Sequence, residues 1–331
     1  IGSDVVRKAF TEEGEIAELS NKVEAEIFAL SQQSTKRNFI HLKEILTESY
    51  ERLEEVVKSG EGMRGVATGF RHLDNKLAGL NPSNLLILAA RPGIGKTTLA
   101  LNIASNICLQ SKKAVGIFSL EMSKEELVDR LLVMEADIDS WKLRTGRLNE
   151  DEMGRLTEAL GRLSEANLFI DDTPGISIAE MRTKARRLKH EGKLDVLIMD
   201  YLQLADAGRR FDSRVNEVSF VSQNLKNIAR ELHIPVIALS QLSRSVEQRG
   251  EKKPQLSDLR DSGAIEQDAD VVMFIYRTDD NTDASESLMP EGKFPMKLYI
   301  AKHRNGATGE IDYLFRADRL KFFEMDKREE V

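Results

Sequence analysis

The chain has 331 residues, 41% of them apolar and 31% charged, with 21 glycines and 7 prolines, a composition that excludes collagen-like, low-complexity and disordered classes and can fill a sizeable core. At about 150 residues per domain, this length predicts roughly two domains, or one large α/β domain with an appendage. The net charge of −7, from 48 basic and 55 acidic side chains, argues against a protein that coats nucleic acid through a broad basic surface and leaves open a local basic site.

The longest apolar runs, such as Leu85–Ala90 and Val196–Met199, fall far short of the ~20 residues that a membrane-spanning helix needs. No secretory signal pattern opens the chain, and Ile1 in the place of a methionine is expected of a processed or truncated N-terminus. The single cysteine, Cys108, lies in an apolar helical pattern, can form no intramolecular disulfide and fits a reducing cytosol.

In chain order, the first 62 residues are acidic, with 8 basic side chains against 13 acidic ones. Ile16, Leu19, Val23, Ile27 and Leu30 recur at helical spacing, and Leu42, Ile45, Leu46, Leu53, Val56 and Val57 repeat the pattern before Gly60, Gly62 and Gly65 interrupt it. These stripes fit either a self-contained helical hairpin or an arm that docks on a neighbouring subunit. From Leu85 onward, Leu85–Ala90, Val115–Ser119, Leu168–Ile170, Val196–Met199, Val236–Leu239 and Val271–Ile275 are continuous apolar runs, expected of strands buried on both faces. Helical periodicity near 97–110, 123–136, 150–165, 177–191 and 215–233 separates most of them. The alternation predicts an α/β fold with right-handed crossovers and a mostly parallel sheet. Lys297–Ala301, Glu310–Phe315 and Leu320–Met325 follow without helices, predicting an antiparallel edge.

The first strand runs into Ala90-Arg91-Pro92-Gly93-Ile94-Gly95-Lys96-Thr97-Thr98 and then into a helix. Strand, glycine-containing loop, Gly-Lys-Thr and helix form the context of a phosphate-binding loop. Loop amides and the unpaired N–H groups of the helix start converge where the helix dipole favours an anion. Lys96 is expected to reach the β- and γ-phosphates of ATP, and the Thr97 hydroxyl to ligate Mg²⁺, a hard cation that prefers oxygen. Ala90 stands where the strict pattern has its first glycine, and its methyl group is expected to restrict the loop without blocking it.

Three other strands end in polar groups. Asp200 closes an apolar strand and is placed to hold Mg²⁺, Glu121 to orient and deprotonate an attacking water, and Gln241 to sense the γ-phosphate. In an open parallel sheet, the edge at the carboxyl ends of the strands is where ligands bind. Arg244, Arg249, Lys252, Lys253 and Arg260 form one basic stretch, read either as a solvated loop or as a nucleic-acid contact. The five histidines lack metal-ligand spacing, and Trp141 is expected to pack inside.

Thr68-Gly69-Phe70 with Leu73-Asp74 and Gly79-Leu80, then Ala90–Thr98, Ser119-Leu120-Glu121-Met122-Ser123, Asp200-Tyr201-Leu202-Gln203-Leu204, Ser240-Gln241-Leu242-Ser243-Arg244, Asp258–Asp270 and Ala301-Lys302-His303-Arg304-Asn305-Gly306 follow one another in an order that resembles bacterial (or phage) DnaB-type replicative helicases. The resemblance extends over nearly the whole chain. It implies a RecA-like ATPase domain over 63–331, preceded over 1–62 by the end of the family's N-terminal domain, with 1–12 as its last part, and a linker helix at 15–30. It further implies a homo-hexameric ring with ATP between subunits, in which Glu121 is the catalytic carboxylate, Asp200 the Walker B acid, Gln241 and Arg130 the γ-phosphate contacts, and Lys302 and Arg304 a finger inserted into the neighbour's site. Arg260, Asp261 and Gly263 match the segment that lines the ring channel and touches single-stranded DNA. Arg209, Arg210 and Arg214 are read either as a second channel loop or as a solvated one. The resemblance also implies a primase and a helicase loader as partners and a cytoplasmic, nucleoid-associated location. A RecA-type recombinase and a nucleotide-gated ring scaffold are the competing functions on the same fold.

Overall fold

The computed structural model describes residues 41–43, 46, 50, 54, 63–208, 211–244, 246, 249, 253–259, 263–278 and 292–325. The chain divides into two units, 1–61 and 62–331. In the first, Leu42, Leu46 and Tyr50 are helical and exposed, and their spacing of four residues puts them on one helix face. The stripe at 15–30 lies outside the described residues.

In the second unit, α1 (Arg71–Leu77) precedes β1 (Leu85–Ala90) and α2 (Lys96–Leu109). Next come β2 (Val115–Ser119), α3 (Lys124–Ala136), α4 (Ser140–Thr145), α5 (Glu150–Ser164) and β3 (Leu168–Asp171). The chain continues through α6 (Ile178–His190), β4 (Val196–Asp200), α7 (Arg214–Leu232), β5 (Val236–Gln241), α8 (Gly263–Asp268) and β6 (Val271–Arg277). It closes with β7 (Lys293–His303), β8 (Gly309–Arg316) and β9 (Lys321–Glu324). Among the described residues these strands form a nine-stranded sheet in the order β3-β2-β4-β5-β1-β6-β7-β8-β9. The first six in that order run parallel and the last three antiparallel. This is the α/β fold with an antiparallel edge that the sequence pattern predicts.

Each central strand feeds two cores because alternate residues point to opposite faces. Leu86, Leu88, Ile198 and Leu239 pack with Leu99, Ile103 and Ile107 of α2 and Leu127 and Leu131 of α3. Leu85, Ile87 and Ala238 pack instead with Met181 of α6 and Val221, Leu225 and Ile228 of α7. Cys108 is buried in the first core, where desolvation pushes its thiol up to about 11.

Two expectations are corrected. β3 is half-buried along its length rather than covered on both faces, because it is the last strand at one edge of the sheet. Trp141 does not pack inside: it lies on the short helix α4, which the apolar pattern did not announce, is 54% exposed and has the Arg147 guanidinium over its ring at 5.1 Å.

Two features mark the antiparallel strands. The β6–β7 register shifts between Val272 and Met273: Val272 faces Lys302, Met273 faces Ile300, and Ala301 is left over as a bulge. On β8, Glu310 accepts from Lys253 (2.7 Å), Lys297 (2.9 Å) and Tyr276 (3.1 Å), which ties the 253–259 segment to the sheet. The hydrogen bonds from Lys253 and then Lys297 hold the Glu310 carboxyl at about 2. A depressed carboxyl pKa contributes stability that is complete above the unfolded-chain value and disappears as the pH falls through the folded one. Acid titration of stability should therefore show a loss between about pH 5 and pH 2 that Glu310→Gln flattens, measured by urea unfolding across that range.

Candidate active site

β1 delivers the chain to the loop 91–95, where two glycines take left-handed conformations: Gly93 has φ +78° and Gly95 φ +99°. Gly95 is the residue before α2, and its position has a second constraint, since an added Cβ would lie 3.1 Å from the Phe322 ring, which stacks on Phe315 at 4.4 Å. Ala90 is the last residue of β1, extended and paired with Gln241, so no left-handed conformation is needed there and its methyl group is accommodated. The first intrahelical bond of α2 runs from Leu99 N–H to Gly95 C=O at 2.9 Å, leaving the preceding amides of Lys96, Thr97 and Thr98 without an intrahelical acceptor.

At the end of β4, the Asp200 carboxylate is 2% exposed. The Thr97 hydroxyl donates to its Oδ2 at 2.6 Å, and Lys96 Nζ lies 3.2 Å from Oδ1 and 4.2 Å from the centre of the Tyr201 ring. Lys96 is within ion-pair range of Oδ1 without a hydrogen bond, so this buried oxygen has no hydrogen-bond donor. A buried anionic oxygen without a donor, beside a hydroxyl, is the donor chemistry that suits a hard divalent cation, and Thr97 and Asp200 fit Mg²⁺.

β2 ends beside β4, with Ser119 opposite Asp200. Leu120 N–H donates to the Asp200 carbonyl at 2.6 Å, and Ser119 Oγ donates to Met122 C=O at 2.6 Å, so the turn that carries Glu121 is pinned on both sides. Glu121 itself is exposed. Ser123 then starts α3 with a reciprocal cap to Glu126. From this helix Arg130 Nη1 reaches the Thr98 hydroxyl at 3.3 Å, in the first turn of α2.

Gln241 closes β5, next to β1. The sequence pattern assigns no role to Gln203, yet its side chain clasps this strand end: Nε2 donates to Ser240 Oγ at 2.9 Å and Oε1 accepts from Gln241 N–H at 3.3 Å. The available signal was an amide three residues beyond Asp200. Arg214 donates to the Gln203 carbonyl and pairs with Glu217 in its own helix, so its guanidinium belongs to this buttress. Arg91 donates to Leu242 C=O at 2.8 Å. Pro92 is exposed and Ile94 packs on the first core. Lys96, Thr97, Glu121, Asp200, Gln241 and Arg130 are thus brought to the carboxyl edge of the parallel strands.

Lys302 and Arg304 are not. Val271, at the start of β6, faces His303, and Arg304 N–H donates to Asp270 C=O at 2.8 Å. Both residues therefore sit at the amino edge of β1 and β6, the full length of a six-residue strand, roughly 20 Å, from the phosphate loop of their own chain. Lys302 Nζ donates to Glu266 C=O of α8.

In the basic stretch, Arg249 pairs with Asp258 and Lys253 with Glu310, while Arg244 is exposed. Gly263 opens α8, and a Cβ there would meet nothing within 4 Å, so the fold itself does not demand glycine. Arg209, Arg210, Lys252, Arg260 and Asp261 lie outside the described residues.

A phosphate loop at the carboxyl edge of a mostly parallel sheet, with Asp200 against its Lys96 and Thr97 and with Gln241 and the turn of Glu121 at the same edge, defines an ATPase of the RecA-like class. The chain belongs to the DnaB-like helicases: the profile of the DnaB-like helicase C-terminal domain matches residues 65–324. It is 45% identical over 325 residues to the replicative DNA helicase DnaC of Bacillus subtilis, covering 98% of this chain and 70% of that protein. It is 44% identical over 327 residues to DnaB of Geobacillus stearothermophilus, covering 98% and 71%. Among solved structures, an ATPase domain superposes with a TM-score of 0.79 at 39% identity, covering 87% of this chain and all of that one. A DnaB-like replicative helicase, solved in a study of its interactions with primase, superposes with a TM-score of 0.83 at 35% identity, covering 98% and 74%. No helix among the described residues is long and apolar enough to cross a membrane.

Proposed function

We propose that this chain is a replicative DNA helicase that hydrolyses ATP at the subunit interfaces of a homo-hexameric ring and uses the energy to move along single-stranded DNA and separate the duplex. The observation that supports this reading is that the phosphate loop and the pair Lys302 and Arg304 lie at opposite edges of one sheet. One protomer offers the loop that grips the triphosphate, and Lys302 and Arg304, at its opposite edge, are available only to another protomer's nucleotide. A ring joined head to tail satisfies both at once.

Within one pocket, Lys96 and the amides of 93–98 bind the β- and γ-phosphates, and Arg91, Pro92 and Ile94 shape the loop. Thr97 and Asp200 would hold Mg²⁺, which when bound would supply Lewis-acid neutralisation of phosphate charge. Glu121, on its pinned turn, orients the attacking water and takes its proton. Gln241 and Arg130 contact the γ-phosphate, and the clasp of Gln203 on β5 ties Gln241 to the segment after Asp200. Lys302 and Arg304 of the adjacent protomer offset the charge that develops on the transferred phosphoryl group.

DNA is bound in the ring channel at the 260–263 segment, through the Arg260 guanidinium and the amide of Gly263, with Asp261 part of the same segment. Arg209 and Arg210 form a second contact, and Arg214 anchors that loop to the Gln203 carbonyl. Phosphate contacts read no bases, so binding is sequence-independent and weakens steeply with salt. Primase and a helicase loader are the proposed protein partners, and the replication fork in the cytoplasm, at the nucleoid, is the proposed place of work.

The test is unwinding of 5′-tailed and 3′-tailed forked duplexes by the full chain, with and without ATP. ATP-dependent unwinding of one polarity is the expected result. Pairing of homologous strands would replace this reading with a recombinase, and slow hydrolysis without either reaction would replace it with a ring scaffold.

A further inference from the structure

Asp270 lies at the turn into β6, on the same sheet edge as Arg304, and is 4% exposed. Its carboxylate serves three elements. Oδ2 accepts the N–H of Leu85, the first residue of β1, at 2.8 Å, and also takes the ammonium of Lys226 from α7. That ammonium is itself anchored to Ser83 C=O at 2.9 Å. Oδ1 faces Arg304 Nη1 at 3.8 Å, and the Asp270 carbonyl accepts Arg304 N–H at 2.8 Å. Asp270 N–H donates to Leu85 C=O at 2.9 Å, so the residue is bonded to β1 in both directions.

The Arg304 side chain is 68% exposed, and among the described residues no other acid pairs with it. A long side chain in water samples many rotamers, and a finger that must arrive at a phosphate across an interface loses rate for every rotamer that points elsewhere. A buried carboxylate locked by a backbone amide and an ammonium offers one fixed anchor for the root of that finger. At 3.8 Å the contact is ionic without a hydrogen bond, so the guanidinium donors stay available for a phosphate oxygen.

We propose that Asp270, held by Lys226, is a positioning residue that aims Arg304 into the adjacent protomer's nucleotide site. The inference rests on the assignment of Arg304 as the trans-acting finger. Asp270 touches no nucleotide, so its effect falls on the rate of the chemical step and not on the grip on ATP.

The experiment measures steady-state ATP turnover by rings of the full chain carrying Asp270→Asn, alone and mixed with Lys96→Ala subunits, with Arg304→Ala subunits treated in parallel. Alone, Asp270→Asn should lower kcat by about 10- to 100-fold with the KM for ATP within about twofold of the parent. Mixing with Lys96→Ala subunits, which lack a working pocket but carry an intact finger, should restore turnover at the Asp270→Asn pockets. Parent-like kcat for Asp270→Asn overturns the proposal. So does a loss that Lys96→Ala subunits rescue for Arg304→Ala but not for Asp270→Asn, since the damage then lies in the variant's own pocket or fold. Failure of both to be rescued overturns the finger assignment itself and is read separately from the Asp270 result. If Asp270→Asn does not assemble, Lys226→Gln replaces it in the same design: Asp270 remains but loses its lock, a smaller drop in kcat with the same rescue is expected, and an unchanged kcat overturns the proposal.

Discussion

Arg304→Ala is expected to bind ATP normally and to turn it over about 10³ to 10⁵ times more slowly, the range by which a charge supplied across an interface accelerates related phosphoryl transfers. The reason is topological. Arg304 is bonded through its backbone to Asp270 at the amino end of β6, whereas the phosphate loop leaves the carboxyl end of β1, and β1 and β6 run parallel. No rotamer of a side chain spans the sheet between these edges. Hybrid rings should make the division visible. Arg304→Ala and Lys96→Ala subunits, each inert alone, should together recover hydrolysis at interfaces that join an intact pocket to an intact finger. Turnover measured against mixing ratio should pass through a maximum, and a flat line at zero would show that finger and pocket do not meet across an interface. Lys302→Ala should cost less, because its ammonium is already bound to the Glu266 carbonyl.

Glu121→Gln should lower kcat by about 10² to 10⁴, the contribution of a positioned general base, while leaving the affinity for ATP close to that of the parent. The amide keeps the shape of the side chain and can still orient water, but cannot take its proton. The turn that presents it should be unaffected, since Ser119, Leu120 and Met122 supply its bonds and the Glu121 side chain supplies none. Lys96→Ala is the contrast: in the proposed site Lys96 meets the ground-state phosphates, so its loss should raise KM as well. Equilibrium nucleotide titration alongside single-turnover hydrolysis separates the two, and normal single-turnover hydrolysis by Glu121→Gln would remove Glu121 from its role.

The fold was largely legible because its strands are buried. A continuous apolar run such as Leu85–Ala90 or Val196–Met199 has few alternatives once helical stretches flank it, and the polar residue that closes each run marks the sheet edge. What escaped was encoded in contacts between distant segments. Helix α4 has no buried residue, so it leaves no apolar stripe, and Trp141 read as core for want of any sign that its helix lies on the surface. The half-buried β3 carries the same residue types as its neighbours and differs only in having a partner on one side. At the site, Lys96, Thr97, Glu121, Asp200 and Gln241 announce themselves by adjacency to strand ends. Gln203 and Asp270 act on residues 38 and 34 positions away, Gln241 and Arg304, and no local pattern reports such pairings.

The surplus Ala301 has a consequence for how this segment can vary. Cross-strand partners point to the same face of a sheet, so the slip that sets Lys302 opposite Val272 turns its ammonium toward the α7 and α8 side, where Glu266 lies. Without the slip, Lys302 would stand opposite Val271 and point into the core beneath α2. The information at this point is therefore parity, and not side-chain identity. Exchanging Ala301 for another small residue, or deleting it so that Lys302 follows Ile300 directly and still meets Val272, leaves the direction of Lys302 intact, whereas drawing Ala301 into regular pairing with Val272 inverts the face on which Lys302 stands while the rest of the strand remains paired as before.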